Sequence, residues 1–347
     1  MSNPSSIREL IEQGYAKIAQ LPEKNSITVG DLDRLDAYTV PLIAHDYGAK
    51  TPLMWNSLYE QLGLNIRNVM LVANPDNLDI IADVLRNDKK YLGGGFGVGF
   101  KEAGVRHLNR TVPEGLAAVN IVVKEGSQLV GYNTDALGFV SSLEEKMAEA
   151  GSRIKGGNVV LLGAGGVAKE VSRLIAAKKP NRIAILNRTY SKAVALANSL
   201  NQEYGPVAVA GGEDIIRGYL LNSFTKPSAV INLTDKGSDG QLADYSAFAA
   251  ADDRGVNENL SRTIARELSK LNPNVVVADI TLPKSGRSMT LRIAENEGLT
   301  YLLDGKPMVI NQAAPAYVYV QNANPETHKR MVTEAEALAV FKEVVQK

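Results

Sequence analysis

Lys101 and Asp135 carry the two groups that would let a protein exchange a proton with an alcohol as its carbon loses or gains hydride. Lys101 closes the glycine-rich run Gly93–Phe100, and Asp135 closes Gly131-Tyr-Asn-Thr-Asp135. Removing hydride from a secondary alcohol leaves a protonated carbonyl unless a base takes the hydroxyl proton, and the reverse reaction needs an acid. A lysine serves both directions if burial lowers its pKa against the raising effect of a nearby carboxylate. The aspartate would orient the ammonium and the substrate hydroxyl. An ion pair at ~4 Å is worth about 4 kcal/mol at an effective dielectric of 20, enough to fix geometry without preventing proton exchange.

A hydride acceptor is implied downstream. Gly163-Ala-Gly-Gly-Val-Ala168 follows the apolar run Val159–Leu162 and opens a helical pattern. In that context Gly163 makes the tight turn, Gly165 lets a pyrophosphate reach the backbone, and Ala168 permits close helix–strand packing. Ala164, Gly166 and Val167 complete the phosphate turn, whose free N–H groups would face the diphosphate. The bland reading of such a motif is a turn shaped for packing alone. An NAD site places an acid near the end of the next strand, whereas this chain reads Asn187-Arg-Thr-Tyr-Ser-Lys192. Arg188 offers a fork of donors, Thr189 a hydroxyl and Lys192 a point charge, so NADP is preferred over NAD. The alternative for Arg188 and Lys192 is a pair of solvated surface charges. The glycine run Gly93–Gly99 lacks the Gly-Lys-Ser/Thr ending of a phosphate loop.

Composition narrows the remaining classes. The chain has 347 residues, long enough for two domains, with 45% hydrophobic and 22% charged residues. Lys+Arg and Asp+Glu balance at 38 each, which gives no field favouring nucleic acid or an anionic membrane. With no cysteine there is no thiolate nucleophile, no disulfide and no cysteine-ligated zinc, and His45, His107 and His328 are too scattered for a metal motif. The start of the chain has no signal-peptide pattern and no apolar run approaches a membrane span, so the cytoplasm is the expected compartment. A small molecule is the expected partner, with the protein a monomer or homodimer.

Periodicity supplies the elements that must position these groups. A capping box at Ser6–Glu9 opens a first helix, Thr51-Pro52 reads as an N-cap and N1 pair, and Gly63 stops that second helix. Asn68–Ala73 is a buried strand, Leu78–Leu85 a helix, and Ala118–Val123 with Gln128–Tyr132 a hairpin through Glu125-Gly126. A helix through Leu143 and Met147 links two domains. Strands at Val159–Leu162, Arg182–Leu186, Ala229–Asn232 and Asn274–Ala278, with helices over Val167–Ala177 and Ser191–Leu200, predict a parallel doubly wound α/β sheet of Rossmann type. The trailing helices near Met308–Val320 and Glu334–Val345 would return to a smaller α/β substrate domain. Asp235–Asn257 reads as a polar insert.

Gly131-Tyr-Asn-Thr-Asp-Ala-Leu-Gly-Phe139, Gly163–Ala168, Asn187-Arg-Thr189, Asn232-Leu-Thr234 and Asp304-Gly-Lys-Pro-Met-Val-Ile-Asn-Gln-Ala-Ala314 resemble, in order and spacing, the shikimate/quinate dehydrogenase family. The resemblance runs from about residue 45 to residue 320 and leaves the first forty residues and the lengthened 235–274 segment outside it. It implies that Lys101 is the catalytic lysine, Asp135 its partner, and Asn120 and Gln312 substrate contacts. It also places Asn187, Asn232, Thr234 and Gly305 beside the cofactor, although a backbone turn explains Asn232 and Thr234 nearly as well. Thr134 reads as a cap of the following helix, and Trp55, where the family has histidine, as core.

The departures fall on the substrate side. The family's Ser-x-Ser-Pro, which holds a carboxylate, reads Ala49-Lys-Thr-Pro52, leaving Thr51 as the one hydroxyl. Its Asn-Val-Thr-x-Pro-x-Lys reads Gly95-Phe-Gly-Val-Gly-Phe-Lys101, so the asparagine and threonine side chains are lost at Gly95 and Gly97. A tyrosine is replaced by Leu282. The expectation is a substrate domain over 1–135, an NADP domain over 136–305 and C-terminal helices over 306–347, with the active site in the cleft. The reaction is reversible hydride transfer to a ring hydroxyl of shikimate, quinate or a related cyclic polyol acid. The rival readings are an oxidoreductase for an uncharged alcohol and a non-catalytic ligand sensor.

Overall fold

The computed structural model describes residues 3–19, 37–45, 50–222, 226–284 and 286–346. The chain divides into two units: unit 1 is Met1–Asp135 with Ile310–Lys347, and unit 2 is Ala136–Val309. The second division thus falls between 309 and 310, where the sequence places it between 305 and 306. It lies inside a helix, because Met308 packs on a core of unit 2 while Ile310 packs on one of unit 1.

Unit 1 opens with α1 (Ile7–Glu12) and β1 (Ala16–Ile18), continues through β2 (Tyr38–Ala44), α2 (Thr51–Gln61), β3 (Ile66–Ala73), α3 (Leu78–Asn87) and β4 (Gly93–Phe96), and then enters β5 (Arg110–Val112), β6 (Ile121–Glu125) and β7 (Gln128–Tyr132). Ser6 caps α1 by accepting from the Glu9 N–H, as the capping box predicts. The N-cap of α2 is Lys50 rather than Thr51, with Pro52 in the first turn, and Gly63 follows at φ 61°. The seven strands run β1-β3-β2-β4-β6-β7-β5, with β6 and β7 an antiparallel hairpin. Helices cover both faces: α1 and α3 bury Ile7, Leu10, Ile81 and Val84 on one. Trp55 and Tyr59 of α2 fill the other together with Tyr317 and Phe341, which lie in the C-terminal helices α11 (Ala313–Ala323) and α12 (Glu334–Gln346).

β2 was not legible as a strand because proline is rare in the middle of a sheet, yet Pro41 lies between β3 and β4. The neighbouring strand accommodates it with glycine. A Cβ on Gly94 would stand 2.1 Å from the Pro41 carbonyl oxygen, so the glycine run is a buried strand whose backbone passes unusually near its neighbour.

Unit 2 begins at α4 (Asp135–Glu149), which starts on the last residue of unit 1. It then alternates: β8 (Asn158–Leu162), α5 (Gly166–Ala177), β9 (Arg182–Leu186), α6 (Tyr190–Tyr204), β10 (Ala208–Gly211), α7 (Ile216–Leu220), β11 (Ala229–Asn232), α8 (Arg254–Leu271), β12 (Val276–Asp279), α9 (Met289–Asn296), β13 (Leu302–Leu303) and α10 (Lys306–Asn311). All six strands are parallel in the order β10-β9-β8-β11-β12-β13. This is the doubly wound Rossmann order, with its switch point between β8 and β11. Helices α4–α6 bury one face and α7–α9 the other. The segment 235–257, a polar insert by sequence, buries Phe248 in a core and leads into α8.

The carboxyl ends of β11 and β12 are tied by a buried carboxylate. Asp279 accepts from Asn232 Nδ2 at 2.9 Å, Ser288 Oγ at 2.6 Å, and the Thr281 N–H and hydroxyl at 2.9 and 2.8 Å. Asn232 Oδ1 in turn accepts from the Thr234 N–H and hydroxyl at 3.0 and 2.7 Å, closing the turn after β11. Burial pushes the Asp279 carboxyl above its ordinary value of 3.8, against the lowering effect of those donors.

Two predictions follow from this packing. Gly94→Ala sets a methyl group against the Pro41 backbone and should lower the stability of unit 1 by about 1–3 kcal/mol, read as a shift of its urea midpoint. A carboxyl whose folded pKa lies above its unfolded value binds its proton more tightly in the folded state, so its contribution to stability rises as pH falls. The stability of the parent relative to Asp279→Asn should therefore increase between neutrality and the ordinary carboxylate range. Urea midpoints of the two proteins that keep a constant difference over that range contradict the assignment.

Candidate active site

Lys101 is held at the end of the glycine run by its backbone. Its carbonyl accepts from the Val119 N–H at 2.9 Å, and the Asn120 N–H donates to the Tyr132 carbonyl at 3.0 Å, so three chain segments meet there. The preceding turn includes Gly99 at φ 85°, a conformation that favours glycine, with space for a Cβ closed by Pro75 at 3.0 Å. Asp135 follows Tyr132 by one Asx turn, its N–H donating to Asn133 Oδ1 at 3.0 Å while Asn133 Nδ2 donates to the Ala118 carbonyl at 3.2 Å.

The two side chains meet. Lys101 Nζ lies 2.5 Å from Asp135 Oδ2, with side-chain exposures of 34% and 24%. The other carboxylate oxygen, Oδ1, accepts from Asn120 Nδ2 at 2.9 Å. That amide also reaches Thr134 Oγ1 at 2.9 Å and Gln312 Oε1 at 3.1 Å. With two hydrogens for three acceptors, it shares them. Thr134, fully buried, donates from its hydroxyl to Gln312 Oε1 at 2.9 Å and from its N–H to Asn120 Oδ1 at 2.8 Å. Lys101, Asp135, Asn120 and Gln312 are therefore brought together in unit 1.

Thr134 departs from the capping role read from sequence. Its hydroxyl is committed to Asn120 and Gln312, and no N–H of the first turn of α4 bonds to it among the described residues. A threonine just before a helix gives the cap signal whichever partner it takes, so sequence could not separate the two. Thr51, in the first turn of α2, makes no side-chain hydrogen bond to a described residue and is not joined to this cluster. Ala49 lies outside the described residues. Gly95 and Gly97 are buried, and Leu282 is 46% exposed in unit 2.

In unit 2 the fingerprint forms the turn between β8 and α5. Gly163 has φ 117°, and a Cβ there would fall 2.8 Å from the Leu233 carbonyl oxygen and 3.0 Å from Thr234 Cγ2. The turn after β11, fixed through Asn232 and Asp279, therefore presses on the phosphate turn. Gly165 and Gly166 have no atom within 4 Å of an added Cβ, so the backbone there is open to a ligand. Gly165 is the N-cap of α5 and supplies no side chain, leaving the first N–H groups of Gly166, Val167 and Ala168 for an anion. Ala164 is already engaged, donating its N–H to Asn187 Oδ1 at 3.1 Å, while Asn187 Nδ2 donates to the Thr189 carbonyl at 2.8 Å. Asn187 thus cross-links two strand ends, a role its place in the Asn-Arg-Thr motif did not disclose.

Arg188 and Thr189 are exposed between β9 and α6 and Lys192 is exposed in the first turn of α6, and neither cation is ion-paired with a described residue. Gly305 is explained by packing, since a Cβ would stand 2.8 Å from Leu282 Cγ and 2.9 Å from the Ile280 carbonyl oxygen. Among the described residues, no cluster of histidine and acidic side chains could hold a metal, and no helix is long and apolar enough to cross a membrane.

Comparison with known proteins places these observations in a family. The model of the family described as shikimate/quinate 5-dehydrogenase matches residues 144–217. The shikimate dehydrogenase (NADP(+)) of Halothermothrix orenii is 30% identical over 304 residues, which cover 85% of this chain and 95% of that protein. Among solved structures, a shikimate dehydrogenase in complex with NADP+ aligns with a TM-score of 0.64 at 22% identity, over 94% of this chain and 100% of the other. A ligand-free 5-ketofructose reductase of Gluconobacter aligns with a TM-score of 0.61 at 22% identity, over 89% of this chain and 99% of that one. These two likenesses are of fold, whereas the Halothermothrix relative carries kinship: the chain belongs to the shikimate/quinate dehydrogenase family.

Proposed function

We propose that this protein is an NADP-dependent oxidoreductase of the shikimate dehydrogenase type, acting on a ring hydroxyl of shikimate, quinate or a related cyclic alcohol. The observation that carries the reading is the Lys101–Asp135 pair at 2.5 Å, with Asn120 and Gln312 beside it, in a chain of this family. NADP supplies the nicotinamide ring that accepts or delivers hydride. The residues of unit 2 suit that cofactor, with open backbone at Gly165 and Gly166 for the diphosphate and Arg188, Thr189 and Lys192 for the 2′-phosphate.

In the oxidation direction the neutral amine of Lys101 takes the hydroxyl proton as the carbinol carbon loses hydride, and a carbonyl forms. In the reduction direction the ammonium returns that proton to the oxygen. Asp135 holds the amine through one carboxylate oxygen, and Asn120 holds the carboxylate through the other, so the nitrogen cannot swing away between turnovers. Asn120 braces that carboxylate and is itself held by Gln312 and Thr134, which keeps the group beside the pair in place.

Two experiments test this. Mixing the protein, NADP and a panel of shikimate, quinate and uncharged cyclic alcohols should produce reduced cofactor, and Lys101→Ala should lower kcat by about 10²–10⁴ while leaving NADP binding intact. A parent protein that binds NADP yet turns over none of the panel would make it a sensor instead. Arg188→Ala should erode the preference for NADP over NAD by roughly tenfold or more, since a charge-assisted pair to phosphate is worth about 1.5–3 kcal/mol. An unchanged ratio of the two cofactors' kcat/KM values would assign Arg188 to the solvated surface.

A further inference from the structure

Leu42 of β2, Gly95 of β4 and Ile121 of β6 are register partners in adjacent strands, and Ile121 pairs onward with Tyr132 of β7. Register partners display their side chains on one face of a sheet, so these four form a row. Two residues back along β4, an added Cβ on Gly93 would meet Val320 Cγ2 of α11 at 3.0 Å. The row therefore lies on the face covered by α11, the helix capped by Gln312. At Gly95 the position is already taken. A Cβ there would stand 2.4 Å from Leu42 Cδ1 and 3.5 Å from the Asn120 carbonyl oxygen. The leucine has filled the space a side chain at 95 would occupy, one residue from the Asn120 amide that grips Asp135 and Gln312.

We propose that Leu42 is a specificity-determining residue, and that the substrate turns an unsubstituted ring edge, CH or CH₂, toward it. The inference rests on the oxidoreductase reading above and refines its substrate class to a cyclic alcohol with fewer hydroxyls than shikimate. A ring hydroxyl on that side would give up its water and gain no partner, because Gly95 offers no side chain and Leu42 Cδ1 neither donates nor accepts. Leu42 is 7% exposed, so it contributes a firm apolar wall that solvent does not wet.

The test compares kcat/KM for NADP reduction with three probes: 3-hydroxycyclohex-1-ene-1-carboxylate, shikimate, which adds two hydroxyls to it, and 2-cyclohexen-1-ol, which lacks the carboxylate. The parent protein should favour the monohydroxy acid over shikimate by roughly tenfold to a hundredfold, the range over which an apolar pocket discriminates against an added hydroxyl. Leu42→Ala combined with Gly95→Asn moves the volume back across the sheet and restores a polar amide, and should bring that ratio to about one or below. Leu42→Asn alone, with Gly95 kept, should shift it in the same direction, and it serves if the double variant does not fold as judged by circular dichroism and melting. A parent that prefers shikimate, or folded variants with an unchanged ratio, overturns the assignment of Leu42 while leaving the oxidoreductase reading in place. If the parent reduces NADP with none of the three probes nor with quinate, the oxidoreductase reading fails and this inference falls with it.

Discussion

The arrangement in unit 1 turns on one carboxylate whose two oxygens are held by different partners. Asp135 gives Oδ2 to Lys101 and Oδ1 to Asn120. An ion pair alone, a quarter to a third exposed, would be screened by water and would contribute little to fixing a flexible lysine. The second grip changes this. Because Asn120 also meets Thr134 and Gln312, the carboxylate is anchored to the residue that leads into β6, to the one that precedes α4 and to the N-cap of α11 at once. The lysine then loses its freedom against a partner that is already ordered, which is the condition under which a charged hydrogen bond positions a reacting group.

The sequence disclosed this centre unevenly. Residue type and position point at Lys101 and Asp135, the family resemblance alone points at Asn120 and Gln312, and the parallel sheet of unit 2 is legible because its strands and helices alternate with clear periods. What stayed hidden was set by contacts that leave no local pattern. β2 was missed because Pro41 contradicts a central strand, and the glycines that make it possible lie some fifty residues on in β4. Thr134 was read as a cap because the helix start is local and visible, whereas its actual partners, Asn120 and Gln312, come from distant segments. Asn187 stands beside the cofactor in the family resemblance, which gives no sign that its amide also links the turn after β8 to the end of β9.

Glycine has two distinct uses in this chain, and the difference bears on function. At Gly94 and Gly163 the missing Cβ lets one backbone approach another: the Pro41 carbonyl in unit 1, the Leu233 carbonyl in unit 2. At Gly165 and Gly166 nothing of the protein fills the space, so the backbone there stays uncovered. A sequence motif counts all four alike. The first kind fixes the shape of the turn between β8 and α5, since the turn after β11 that presses on Gly163 is braced through Asn232 to the buried Asp279.

The anchors of the dyad also explain how a substrate wall could change while the chemistry stayed. Lys101 is placed by a backbone bond from Val119 and Asn120 by one to Tyr132, and neither bond uses a side chain of residue 42, 95 or 97. The groups proposed to move protons therefore depend on main-chain geometry that the sheet imposes, whereas the groups that would select the ring depend on which side chain occupies a shared space between β2 and β4. Leucine at 42 fills the space beside Gly95 from one side, and a smaller residue at 42 with a larger one at 95 would fill it from the other, a volume-conserving exchange of the kind cores tolerate best. If Leu42 sets the ring face as proposed, specificity would drift by exchange across one strand pair while the main-chain bonds that place Lys101 and Asn120 remain.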